Sequence, residues 1–381
     1  MKRPHSHRGV TLIEMLVAMA ILGIVLLIIA SAMNMMQNTW VNIRGKADGF
    51  RNTRLAIDTV AHRLSQATLN SRWTIWKGDD PTLPANLQYV SDSDLHFVSG
   101  KATTLLNDYT RAVGHAVFFQ APLGQDDTPP GTSSNTTTFD TQNLTETLNA
   151  WGYFVEFGSD ANERPDFMQQ SADRFPPRRR FRLLEFRQPA RELSLFDLTT
   201  TQPPELLIHQ ATSFDQLHTW FRTPLAAGTF QQRRVTVVAE NILAIIVTPL
   251  DPKLRQPNAP LNDASAFQVA PDSTWDSRRF QTDGSTPPVP VAISTPSQYQ
   301  WHHLPPACQL TAIAMSEDSW AGFTDGQIEA TADQLRGLIN SRFNQGSLLE
   351  DDLNSVQESL DAMRPPLRYK IVSILIPMAG K

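Results

Sequence analysis

Side chains able to do chemistry are few in this 381-residue chain, and they do not gather. His302 and His303 are adjacent, so on a strand they would point to opposite faces, and no Asp or Glu sits nearby at ligand spacing. A loop edge beside Trp301 is expected there, not a metal site. Glu350, Asp351 and Asp352 offer the oxygen donors that calcium takes, but successive helical side chains diverge by about 100°. These acids are expected to stabilise the positive end of a helix instead. Arg178, Arg179 and Arg180 follow Pro176-Pro177 and could meet an anion, yet they read best as the solvated start of a strand. Cys308, the single cysteine, opens a β-prone run as a buried small hydrophobe and permits no internal disulfide or multi-cysteine metal site. No Gly-x-Ser-x-Gly elbow, phosphate-binding glycine loop or His-Glu-x-x-His occurs. The expectation is no catalytic residue, no metal, no cofactor and no enzyme.

One titratable residue does sit where physics gives it a task. From Val10 to Met33 the chain is almost wholly apolar, and its only charge is Glu14. About 24 residues at roughly 1.5 Å each make about 36 Å of helix, enough to cross a hydrocarbon core. Lys2, Arg3 and Arg8 precede that run and hold their side in the cytoplasm, so the rest of the chain is expected outside. A carboxylate within such a helix costs on the order of a few kcal/mol, and therefore marks a pairing or functional position.

The run Gly9-Val10-Thr11-Leu12-Ile13-Glu14-Met15-Leu16 resembles the class III signal of type IV pilins and type II secretion pseudopilins. The resemblance implies a leader over 1–9, cleavage between Gly9 and Val10 by a prepilin peptidase, N-methylation of Val10, and a role for Glu14 in subunit assembly. It also implies a single-pass inner-membrane protein with a periplasmic C-terminal domain, extracted into a pseudopilus beside other pilin-like subunits. When such helices associate laterally, Glu14 can neutralise the α-amino group of a neighbour's Val10, turning two buried costs into one pair. An ordinary secretory signal is the alternative, supported by the small-x-small site Ala30-Ser31-Ala32. Its apolar region would be longer than usual and would contain Glu14.

The elements that position this segment follow from periodicity. Helical spacing of Phe50, Ile57, Val60, Ala61, Leu64 and Ala67 predicts one helix from Val10 to about Asn70, with Arg51, Arg54, Asp58, His62 and Arg63 on its other face. Residues 10–33 would be transmembrane, 34–70 an amphipathic continuation, and 71–381 a β-rich extracytoplasmic head. Strands are expected at Leu95–Val98, His115–Gln120, Gly152–Phe157, Phe181–Arg187, Val235–Thr248, Cys308–Met315 and Tyr369–Pro377. The last is apolar on both faces and should be central or buried. Long polar loops are expected over Gly124–Asn143 and Leu250–Pro306. A helical hairpin precedes the last strand: Asp325 caps one helix, and Ser347-x-x-Glu350 reads as a capping box opening the other.

A composition of 41% hydrophobic and 19% charged residues excludes a disordered chain, and the net charge of -5 speaks against nucleic acid as a partner. Arg54-Leu55-x-x-Asp58 resembles the J-type minor pseudopilins. The phrases Leu148–Gly158, Leu183–Pro189, Ala239–Ile242 and Leu304-Pro305-Pro306 are similar to the Verru_Chthon cassette protein C family. Together they imply an α+β, pilin-like minor subunit acting in initiation or at the tip of a short pseudopilus. A membrane-anchored or filament-mounted binding or adhesion module is the alternative.

Overall fold

The structure, a computed structural model, describes residues 12–77, 87–107, 109–124, 147–161, 164–169, 173–190, 193, 218–226, 234–250, 273–278, 302–320, 323–364 and 367–378. Helix α1 spans Leu12–Leu64. Its portion Leu12–Gln37 is long and apolar enough to cross a membrane, and its side chains are exposed. The chain divides into two compact units, Met1–Arg51 and Asn52–Lys381, so the last turns of α1 belong to the second.

Within that second unit the expected stripe is buried. Ile57, Val60, Ala61 and Leu64 face the core, joined by Thr53 and Ala56, while the Phe50 side chain lies outside the described residues. The helix stops at Leu64, short of Asn70. Residues 65 and 66 turn, and the Thr68 N–H then donates to the Gln120 carbonyl, so a strand captures the backbone that would have extended the helix.

The strands are β1 (Arg72–Lys77), β2 (Leu87–Asp92), β3 (Val98–Lys101), β4 (Ala112–Ala121), β5 (Asn149–Ser159), β6 (Arg179–Gln188), β7 (Val235–Glu240), β8 (Ile242–Leu250), β9 (Trp275–Asp276), β10 (Ala307–Met315) and β11 (Tyr369–Pro377). β1 and β2 form their own antiparallel ribbon. The others build a nine-stranded sheet in the order β11-β10-β8-β4-β5-β6-β7, with β3 pairing both β4 and β9. Among the described residues, five further helices are α2 (Ala102–Leu105), α3 (Asp166–Gln169), α4 (Thr219–Leu225), α5 (Asp325–Asn340) and α6 (Leu349–Ala362). An apolar N-terminal helix followed by a β-rich head with late helices is an α+β, pilin-like layout.

Strand alternation sets two layers. Even positions of β5 and β6, such as Phe154, Leu184 and Phe186, pack with Phe118, α2 and α4 in one apolar cluster. Odd positions, including Trp151, Tyr153 and Glu185, meet Arg63 of α1. Gly152 lies opposite Phe118, and a Cβ there would sit 2.2 Å from the Phe118 ring, so only glycine lets that ring lie over the strand.

Several expectations are corrected. Val235–Thr248 is two strands, broken at Asn241, whose φ of 61 is one that Asn tolerates and whose N–H donates to the Phe181 carbonyl. β11 has the expected span but lies at the sheet edge, with Leu375 58% exposed. Only Ile376 of the strand is buried, so apolarity on both faces here reports neither covering nor the pairing of both backbone edges. Thr324 caps α5, with Gln327 reaching back to the Thr324 N–H, in place of Asp325. Ser347 does not cap α6, because residues 346–348 form a 3-10 turn that feeds directly into it. Of the two expected polar loops, only residues 124, 250, 273–278 and 302–306 are described, and β9 falls among them.

Candidate functional site

The residues expected to carry processing, Gly9 and Val10, lie outside the described residues. Glu14 is described, exposed in the first turn of α1. A carboxylate suits that place, because the orphan N–H groups of a helix start leave it partly positive. Around it stand Leu12, Ile13, Met15 and Leu16, all more than half exposed. A continuous shell of apolar side chains on a helix demands lipid or other helices around it, since water would make that shell costly.

The other candidates resolve into structural roles. Arg179 pairs with Glu329 of α5, and Arg180 with Glu317, which occupies both where an anionic partner would have to bind. Asp352 accepts the Phe343 N–H at 2.8 Å, which holds the turn between α5 and α6, and Glu350 and Asp351 flank it in the first turn of α6. Cys308 is fully buried, and burial pushes its thiol up, away from the reactive thiolate. His302 is a correction: it is not a loop edge but fully buried at a φ of 54, its Nδ1 accepting the Ser93 N–H at 3.0 Å.

Buried charge is concentrated elsewhere, on side chains with no motif. On the α1 face, Arg63 pairs with Glu185, and Tyr153 also donates to that carboxylate at 3.1 Å. The periodicity placed Arg63 on the outward face. The structure turns it inward, where its guanidinium lies 4.6 Å from the Trp151 ring centre. Burial pushes the Tyr153 hydroxyl up to about 12 despite Arg63 beside it, so this phenol keeps its proton. On the opposite face, Arg182 and Glu156 pair at 2.6 Å with both side chains buried, and Tyr109 donates to the same carboxylate.

A third cluster joins His96, His218 and Asp276, all fully buried. His96 Nε2 lies 2.7 Å from Asp276 Oδ1, and His218 Nε2 lies 3.2 Å from Oδ2. Two imidazoles and a carboxylate are the donor types of a zinc site. Their protons argue otherwise. Trp220 Nε1 can only donate, and it sits 3.0 Å from His96 Nδ1. That nitrogen is therefore the acceptor, and the proton of His96 is on Nε2, directed at Asp276. A metal on Nε2 would move the proton to Nδ1, against the indole N–H. The Arg278 N–H also occupies Asp276 Oδ1, at 2.9 Å. The donor set fits a hydrogen-bonded clamp and does not fit a metal. Burial, partly offset by Asp276, pushes His96 down to about 4. Burial alone would raise the Asp276 carboxyl, but the two histidines outweigh it and hold it well below the usual range. No local pattern announces these three residues, because more than 50 positions separate each from the next and only the sheet brings them together.

Compared with known proteins, residues 4–30 match the prokaryotic N-terminal methylation motif, the signal of type IV pilin-like proteins. No curated protein and no solved structure matches the chain.

Proposed function

We propose that this chain is a minor, non-enzymatic subunit of a short pseudopilus belonging to a type II secretion or type IV pilus-like system, acting in filament initiation or at the tip. One observation carries the reading: the methylation motif at 4–30 coincides with the exposed apolar stretch Leu12–Gln37, and the same helix runs on to Leu64. A helix of that kind can leave the bilayer only by exchanging lipid for neighbouring helices, which is what a filament core provides.

In this reading residues 1–9 are the leader, 10–33 the membrane span, 34–70 the segment that carries the helix on to Leu64 and enters the head, and 71–381 the rest of an extracytoplasmic head. Prepilin peptidase cuts between Gly9 and Val10, Val10 is methylated, and Glu14 pairs with the α-amino group of an adjoining subunit. The basic leader sets the orientation, with the head on the periplasmic side of the inner membrane. The second compact unit, Asn52–Lys381, is large for a densely stacked repeat subunit, and that favours an end position. Membership of the Verru_Chthon cassette protein C family rests on the phrases that fall in β5, β6 and the β7–β8 junction.

Processing gives the direct test. After co-expression with a prepilin peptidase, intact-mass and N-terminal analysis should find Val10 first and carrying one methyl group. A mature chain beginning at Met33 would remove the pilin reading and establish ordinary secretion.

A further inference from the structure

We propose that His96 and Trp220 form an acid-released latch that docks helix α4 on the sheet. The helix needs one. It has seven residues, contains Pro224 and has no side-chain hydrogen bond at its N-cap His218, so it has little stability of its own. Docking supplies it: Trp220, Phe221 and Leu225 are buried in the cluster with Phe118 and Phe186, and the Phe221 ring stacks on Phe118 at 4.0 Å. Arg222 adds hydrogen bonds to the Leu105 and Thr104 carbonyls.

The polar centre of that docking is His96, and both of its ring nitrogens are committed. Nδ1 accepts from the Trp220 indole and Nε2 donates to Asp276. A second proton has nowhere to go except Nδ1, where it would face the indole N–H across 3.0 Å. The docked state thus excludes imidazolium by geometry, whereas an undocked His96 titrates as an ordinary histidine. The charged and titratable groups facing His96 are Asp276, which favours a proton, and Arg278 and His218, which oppose one. Burial and this opposition hold the docked ring near pKa 4. Acid therefore favours the undocked state by linkage, about tenfold for each pH unit between roughly 6.5 and 4. The latch rests on the cluster geometry alone, independent of the filament reading.

Hydrogen exchange on the full chain in detergent micelles tests it, with rates corrected for the intrinsic pH dependence. Between pH 7 and pH 4.5, peptides covering α4 should open about 60-fold more often, while those of β10 stay protected. His96→Asn keeps an oxygen acceptor for the indole but cannot titrate, and it should flatten the response of α4. Trp220→Phe keeps an aromatic ring and frees Nδ1 for a proton while α4 remains docked, so it should flatten the response as well. This variant decides the matter where His96→Asn does not fold. The latch is overturned if α4 opens less than about threefold more often at the lower pH, or if both variants respond as the parent does.

Discussion

Gly114 of β4 pairs with Ile245 of β8 in a parallel bridge, and a Cβ on Gly114 would lie 2.7 Å from the Ile245 carbonyl oxygen. The bridge joins β8, β10 and β11 to the strands around β5 and β6. It lies where β4 bulges between Val113 and Ala116, and the backbone at Gly114 takes a φ of 71. Asn340, at the end of α5, fastens the bulge from outside: its Oδ1 accepts the Gly114 N–H at 3.0 Å and its Nδ2 donates to the Ala112 carbonyl.

Gly114→Ala should therefore be costly. A side chain at positive φ loses about 1 kcal/mol, and forced separation of the bridge adds about 1–3 kcal/mol. Denaturant unfolding should show a loss of about 2–4 kcal/mol. A loss under about 0.5 kcal/mol would mean that the two halves of the sheet do not meet at this contact.

His115, next in sequence, makes the same joint sensitive to acid. Its ring is fully buried, with Nδ1 lying 3.0 Å from the Val247 carbonyl oxygen and 3.2 Å from the Val247 nitrogen, and Nε2 lying 3.1 Å from the Phe343 carbonyl. Burial, only partly offset by hydrogen bonds to Phe343 and Val247, lowers its pKa. The unfolded state then binds the proton first. The contribution of His115 is complete above about pH 6.5, the ordinary histidine value, and is lost as pH falls below it. Unfolding free energy measured from pH 7.5 to 5 should fall in the parent and fall less steeply in His115→Gln. Equal slopes would show that His115 does not titrate between the two states.

Much of this layout is legible in the chain, and the illegible part has a physical reason. Ile57, Val60, Ala61 and Leu64 announce a helix face by spacing alone, and the spans of β5, β6, β10 and β11 follow from runs of β-prone residues. What spacing cannot report is who sits alongside. β11 looks interior by composition yet lies at an edge, and Arg63 looks outward yet reaches Glu185 across 122 positions of sequence. His96, His218 and Asp276 are isolated polar residues until the sheet assembles them. The N-terminal motif is legible because an apolar run carrying one carboxylate is itself a local pattern.

Arg63 gives a test of the inward pair. Its side chain is 22% exposed and that of Glu185 is 8% exposed, so screening weakens the pair only in part. Arg63→Ala should cost about 2–3 kcal/mol, mostly by leaving the Glu185 carboxylate buried without its cation. The double variant Arg63→Met, Glu185→Gln should recover to within about 1 kcal/mol of the parent. Should the double variant be as unstable as Arg63→Ala, the stability comes from packing over Trp151 and not from the charge pair.

Cys308 reports on the integrity of the head. A fully buried thiol with a raised pKa should resist a maleimide reagent at pH 7 for hours in the native protein and react within minutes in denaturant. Rapid labelling without denaturant would place Cys308 at an accessible position and contradict the packing of β10 between β8 and β11.

The assembly role proposed for Glu14 gives the last test. In Glu14→Ala a polar cost is removed from the membrane helix, so insertion should be undiminished or slightly better. In a filament core, however, the α-amino group of a neighbour's Val10 would lose its counter-charge, and an unpaired buried ion is far costlier than the pair. Crosslinking and co-purification with partner pilin-like subunits should then fall by roughly tenfold or more, while membrane-fraction levels hold. Glu14→Gln separates charge from hydrogen bonding: it should fail nearly as badly, because an amide can accept a hydrogen bond from the amino group but cannot neutralise it. If Glu14→Ala enters assemblies at parental levels, the carboxylate is not the partner of the α-amino group, and register between subunits is set by the apolar side chains alone.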